Sequence, residues 1–196
     1  MQYTFMKNRF ASQTLFVTGF SVLLGLFVNW LNPNGIPLVM DESRYSTEQS
    51  DKLMQDFMNN PTDTTSKENT NLIQNPNLTE EGFVKPQNIK LDFTKLLHEK
   101  NALFIDGRTE EEYKLGHIPG AINIPYINFT SLPNEKKLEI MDKYNKDGII
   151  VVYCGGGDCE VSIDLAYDIA KLGFTSVNIY LGGWKEWTEN GLKEER

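Results

Sequence analysis

Cysteine is scarce in this chain of 196 residues: there are two, Cys154 and Cys159, and only two histidines, His98 and His117. Two thiols cannot build a disulfide-rich scaffold or a four-thiolate zinc site, and the pair alone lacks the remaining ligands, so no metal is expected. Clustered basic charge is missing as well. Lys and Arg number 19 against 27 Asp and Glu, for a net charge of −8, and no basic run stands out. An acidic chain without a cationic patch cannot release counterions from a phosphate backbone, which excludes nucleic acid as a partner. Finally, charge of either sign is absent from Phe10 to Met40.

That uncharged stretch contains Leu15–Leu31 (LFVTGFSVLLGLFVNWL), which is apolar at almost every position. At about 1.5 Å per residue it reaches across a bilayer core of roughly 30 Å once its flanks are included. Lys7 and Arg9 precede it, whereas Asp41 and Glu42 follow. The positive-inside bias therefore predicts a single-pass anchor over 1–31 in a cell inner membrane. Its N-terminus would be cytoplasmic and the remainder periplasmic. A cleaved signal peptide is the rival reading, but no small-x-small cleavage site follows the apolar run.

Residues 32–85 carry nine acids and four bases, are rich in Asn, Thr and Ser, and are broken by Asn-Pro at 32–33, 60–61 and 75–76. Such a composition buries too little apolar surface to offset chain ordering and predicts a polar, largely flexible linker. Within it, Leu53, Met54, Phe57 and Met58 share one helical face. This is either a short helix resting on another surface or a transient helix in a tether.

From residue 86 to 196 the pattern is that of a folded domain. Helical spacing marks Leu91–Glu99, Glu110–Leu115, Glu135–Tyr144, Val161–Leu172 and Trp184–Glu189. Short apolar runs at Ala102–Ile105, Ala121–Ile124, Ile149–Tyr153 and Val177–Leu181 read as strands. The alternation predicts an α/β fold with a central, mainly parallel sheet flanked by helices. In such sheets ligands bind beyond the carboxyl ends of strands. Asp106 and Cys154 end two of the predicted strands.

The segment VVYCGGGDCEVS runs strand, cysteine, three glycines, helix. Gly155, Gly156 and Gly157 can adopt positive φ and let the backbone curl, so that successive N–H groups, with Asp158 and Glu160 in the same curl, form an anion nest. A helix N-terminus behind adds partial positive charge, and a sulfur held there is stabilised as the reactive thiolate. A buried cysteine ending a strand is the plainer alternative.

Three segments together resemble the rhodanese (sulfurtransferase) family over roughly residues 86–196. Asp106-Gly107-Arg108 through Glu112-Tyr113, Gly116-His117-Ile118 and Gly120-Ala121 are similar to its first signature; Cys154 opens its loop; Leu181-Gly182-Gly183-Trp184 with Trp187 is similar to its C-terminal motif. The resemblance implies a three-layer rhodanese-like domain in which Cys154 accepts sulfane sulfur as a persulfide, without a cofactor. It also implies that the amides of 155–160 hold the transferred sulfur, with Asp106 and Arg108 near the base of the site. Arg108 is expected to pair with Glu112 at i+4, and His117 to stabilise a turn by hydrogen bonding.

The loop departs from the family where active members often carry arginine: that position is Cys159, and Asp158 and Glu160 add negative charge. Phosphatase-like chemistry, which needs a bidentate arginine, is excluded, and anionic thiosulfate is disfavoured as donor. Cys159 instead opens a redox route, because a persulfide on Cys154 attacked by Cys159 expels sulfide and leaves a disulfide. Sulfur transfer with Cys159 as resolving thiol, a dithiol–disulfide relay serving a membrane redox partner, and a non-catalytic protein-binding module all remain open. The partners expected are a small sulfur donor or acceptor or a thiol protein, together with the lipid bilayer.

Overall fold

The computed structural model describes residues 2–32, 45–59, 78–157 and 159–196, with side chains from Gln13 onward. Most of the expected linker, at 33–44 and 60–77, lies outside these residues, as does Asp158. The chain forms two compact units, 1–41 and 42–196. The first contains helix α1 (Gln2–Leu31). Over Gln13–Leu31 this is a helix long and apolar enough to cross a membrane, or to serve as a signal sequence, and none of that span is buried by protein. Its hydroxyls turn inward on the helix: Thr18 Oγ1 donates to Thr14 O at 2.8 Å and Ser21 Oγ to Val17 O at 2.9 Å.

The second unit is built on five strands, β1 (Gln87–Ile89), β2 (Leu103–Asp106), β3 (Ile122–Asn123), β4 (Ile149–Tyr153) and β5 (Ser176–Tyr180). All pair in parallel, in the order β1-β5-β4-β2-β3. The helices are α2 (Ser50–Asn59), α3 (Leu91–Glu99), α4 (Glu110–Leu115), α5 (Tyr126–Thr130), α6 (Asn134–Met141), α7 (Val161–Lys171) and α8 (Gly183–Glu189).

The strand period of two distributes β4 between the two faces. Ile150 and Val152 join Ile105 and Ile179 beneath α5, α6 and α7, where Phe129, Met141, Ile163 and Ala166 complete the layer. Val151 and Tyr153 join Ile89, Phe104 and Tyr180 beneath α3 and α8, with Phe93, Leu97 and Trp187. Burial on both faces explains why IIVVY reads as a continuous apolar run. Each fully buried Ile or Val there contributes about 1.5–3 kcal/mol.

The sheet order also locates the site. β4 leads through α7 to β5 on one side, whereas β2 leads through α4 to β3 on the other. The connections diverge between β2 and β4, and a crevice opens at such a switch point beyond the carboxyl ends. Asp106 and Tyr153 are register partners there, and Cys154 is the next residue.

Two elements were not legible in the sequence, β1 and α5. Helix α2 is also more than a segment of tether. Its Leu53, Met54 and Phe57 pack against the α3–α8 layer, and Phe57 meets the Phe93 ring at 5.9 Å.

Candidate active site

Cys154 continues the inward alternation of β4 and has no exposed surface. The backbone then turns away through Gly156 and Gly157, at φ 95° and 71°, a region closed to most side chains. Cys159 returns, and its sulfur forms a disulfide with Cys154, the two Cα atoms lying 6.6 Å apart. Cys154 Sγ lies 3.5 Å from the hydroxyl of buried Ser162, in the first turn of α7. Among the described residues no acceptor takes the amide protons of Gly156, Gly157 or Cys159. Asp158, another residue of the expected cradle, lies outside the described residues.

The start of the loop is held by the segment that begins α8. Trp184 N donates to Cys154 O at 2.8 Å and Lys185 N to Gly155 O at 3.0 Å. The approach is close enough to require glycine on both sides. A Cβ on Gly183, where φ is 56°, would lie 2.6 Å from Gly156 N.

Below the loop sits a buried polar cluster. Asp106 is inaccessible, and Arg108 grips it in a fork, Nε and Nη2 donating at 3.1 and 2.6 Å to Oδ2. Arg108 Nη2 also donates to Gly116 O at 2.8 Å, and its guanidinium lies 5.0 Å from the centre of the Trp184 ring. Burial opposes the Arg108 charge, but the Asp106 carboxylate outweighs it and holds the pKa above its ordinary value. Tyr153 Oη accepts from Ile118 N at 3.1 Å, and burial together with the neighbouring Asp106 charge pushes the phenol far up, so it stays neutral.

The expected Arg108–Glu112 pair does not form. Arg108 precedes α4, so helical i+4 spacing does not apply to it. Glu112 instead completes a capping box: Thr109 N donates to its carboxylate at 3.1 Å and Glu112 N to Thr109 Oγ1 at 3.3 Å. His117 places Nδ1 3.0 Å from Tyr113 O, stacks on the Tyr113 ring at 3.7 Å, and has Nε2 3.8 Å from Glu195. These contacts hold the turn after α4. Trp187 packs against His98 and Phe104 and donates Nε1–H to Lys193 O at 2.8 Å.

A strand-end cysteine in a glycine loop, clamped by a second glycine turn and backed by a buried Asp–Arg pair, is one constellation drawn from three separated motifs. Residues 91–190 match the family model described as the rhodanese-like domain. The chain belongs to the rhodanese-like family. Thiosulfate sulfurtransferase 16, chloroplastic, of Arabidopsis thaliana is 36% identical over 94 residues, which cover 45% of this chain and 76% of that one. Thiosulfate sulfurtransferase/rhodanese-like domain-containing protein 3 of Mus musculus is 35% identical over 112 residues, 54% of this chain and 69% of that one. Among solved structures, a human single-domain sulfurtransferase is 26% identical, with 52% of this chain and 95% of that one covered at a TM-score of 0.42.

Within the rhodanese-like domain, sequence reasoning overlooked Ser162, Tyr153 and the backbone clamp from Trp184 and Lys185. Nothing in the spacing marks Ser162, which reaches Cys154 only because α7 turns back over the loop. The clamp uses main-chain atoms and so carries no residue signal beyond the glycines that allow it.

Proposed function

We propose that this rhodanese-like protein is a membrane-anchored sulfurtransferase in which Cys154 carries sulfane sulfur and Cys159 resolves it. The pairing of the two sulfurs in one loop carries this reading. In the disulfide form Cys154 is buried and Cys159 is partly exposed. A reducing thiol therefore attacks Cys159 and releases Cys154 as thiolate, next to the Ser162 hydroxyl and the N-terminus of α7, and a second reducing thiol frees Cys159 from the mixed disulfide, the two reductant thiols leaving as their own disulfide. The Cys154 thiolate then takes the outer sulfur of a donor persulfide, the donor leaving as its thiolate. Attack of the Cys159 thiolate on Cys154 Sγ expels hydrosulfide and restores the disulfide. Sulfur and electrons balance: the donor's sulfane sulfur leaves reduced, and the two cysteines are oxidised.

Gly155, Gly156 and Gly157 supply amides to the sulfur, while Asp158 and Glu160 disfavour anionic donors such as thiosulfate. A neutral thiol-bound persulfide, on a small molecule or on a thiol protein, fits the loop better. Asp106, Arg108 and His117 position the motif segments without touching sulfur. No cofactor, metal or nucleic acid enters this scheme.

The anchor is residues 15–31, within a 1–31 signal-anchor segment, followed by a linker over 32–85 and the catalytic domain over 86–196. The inward-bonded hydroxyls of α1 support a lipid surrounding, because a polar group in hydrocarbon must find its partner on its own helix. Lys7 and Arg9 favour a cytoplasmic N-terminus in a bacterial inner membrane, which puts the domain in the periplasm. There the surroundings favour the disulfide, and a membrane thiol-redox partner would reduce it.

The test is sulfide release. The reduced full chain mixed with a persulfide donor is expected to release hydrosulfide and become the intramolecular disulfide, and Cys154→Ser to do neither. A wild type that binds a partner protein yet takes up no sulfur and forms no reversible disulfide would leave only the non-catalytic binding module.

A further inference from the structure

The segment before the domain reaches the catalytic loop. Tyr45 Oη donates to the Glu160 carboxylate, across 115 residues of sequence, and Glu160 directly follows Cys159. Tyr45 lies outside the residues matched by the family model, 91–190. Its position is set by a strap of anchored neighbours. Asn88 Nδ2 donates to Ser46 O at 3.0 Å, Lys90 N donates to Ser50 Oγ at 2.9 Å, and Lys90 Nζ pairs with Asp51 at 2.7 Å. Ser50 is 1% exposed, and the Tyr45 ring packs against the α5–α7 layer. These bonds fall on the Asn88 side chain of β1, the edge strand, and on Lys90 just after it.

We propose that Tyr45 is a positioning residue for Cys159, latching the glycine loop from outside the domain so that the resolving thiol is held against Cys154. The physical case rests on entropy. Three successive glycines separate Cys154 from Asp158, and ordering each of them is costly. A bond from a fixed phenol to the residue beside Cys159 removes much of that freedom in advance. The effective concentration of Cys159 at Cys154 rises, and the disulfide becomes harder to reduce. The latch rests on the resolving role given to Cys159 above, and it adds that the chain between anchor and domain tunes that role.

The test is thiol–disulfide equilibrium of the full chain, in detergent, against reduced and oxidised glutathione. In the exchange one oxidised glutathione takes two electrons and two protons from the Cys154 and Cys159 thiols and leaves as two reduced glutathiones. Tyr45→Phe keeps the ring and loses the hydroxyl. A hydrogen bond to a charged group that is partly solvated sets the scale, so the equilibrium constant for disulfide formation is expected to fall about tenfold. Glu160→Ala should give the same fall, and Tyr45→Phe should add nothing in the Glu160→Ala background. A change acting only through fold stability would instead add independently in the double variant. Unchanged equilibrium in Tyr45→Phe, or additive losses, overturns the latch while leaving the resolving thiol intact. A wild type that forms no disulfide with glutathione overturns both.

Discussion

The buried Arg108 charge is bonded to the equally buried Asp106 carboxylate, which makes this pair a demanding contact. Asp106 is inaccessible and the Arg108 side chain is 7% exposed. Removing one partner strands the other in a low-dielectric interior, so Arg108→Ala is expected to destabilise the domain by about 3–5 kcal/mol. A fall in the urea midpoint with unchanged slope is the check. Part of this cluster was readable beforehand. Asp106 at a strand end and Arg108 two residues on are legible as motif positions, but i+4 spacing points Arg108 to Glu112, whereas the structure pairs it with Asp106. Thr109-x-x-Glu112 is a capping-box pattern, and reading it would have claimed Glu112 for the helix start and left Arg108 to Asp106. His117 was read as a turn-holding residue, and its contacts with Tyr113 and Glu195 are of that kind. Ser162 could not be found, because its proximity to Cys154 depends on how α7 folds back.

Strands with continuous apolar runs and helices with a repeated apolar spacing are the elements legible in the sequence. β2, β4 and β5 are buried on both faces and read as strands; α3, α4, α7 and α8 read as helices by their spacing, with glycine stops after α7 and α8. β1 is Gln-Asn-Ile, with one apolar side chain in three, and becomes a strand only by pairing with β5 at Gln87↔Asn178 through Ile89↔Tyr180. α5 spans five residues after Pro125, too short to show a period. A close junction between elements is the one between the cysteine loop and the start of α8, where Gly156 and Gly183 meet. Gly183→Ala places a side chain at positive φ and against the Gly156 backbone, which no flexible neighbour can relieve. The expected cost is more than about 2 kcal/mol, with loss of sulfide release larger than loss of fold. Melting temperature and single-turnover sulfide release, measured on the same sample, separate the two. Equal activity per folded molecule in wild type and Gly183→Ala would show that the α8 clamp does not shape the loop.

At the scale of the molecule, an acidic chain resolves into an apolar helix and a rhodanese-like domain in which both cysteines sit in one short loop. The composition split between 1–31 and 86–196 was legible because uncharged and amphipathic stretches differ so strongly. The role of residues 45–59 was not, because Tyr45, Ser46 and Ser50 gain their meaning from Glu160, Asn88 and Lys90 far along the chain. Deleting residues 2–31 is expected to move the protein from the membrane pellet to the soluble fraction while leaving sulfide release within about twofold, since Leu15–Leu31 with its flanks is the stretch that meets the length bilayer insertion requires. A full-length chain that is already soluble and begins after Leu31 would point to a cleaved leader.

The most direct test of the central claim is the intact mass of the reduced Cys159→Ser chain after exposure to a persulfide donor. With the resolving thiol gone, Cys154 should retain one sulfur atom, removable by a reducing thiol and absent from the Cys154→Ser chain. A Cys159→Ser chain that gains no sulfur would contradict Cys154 as the carrier.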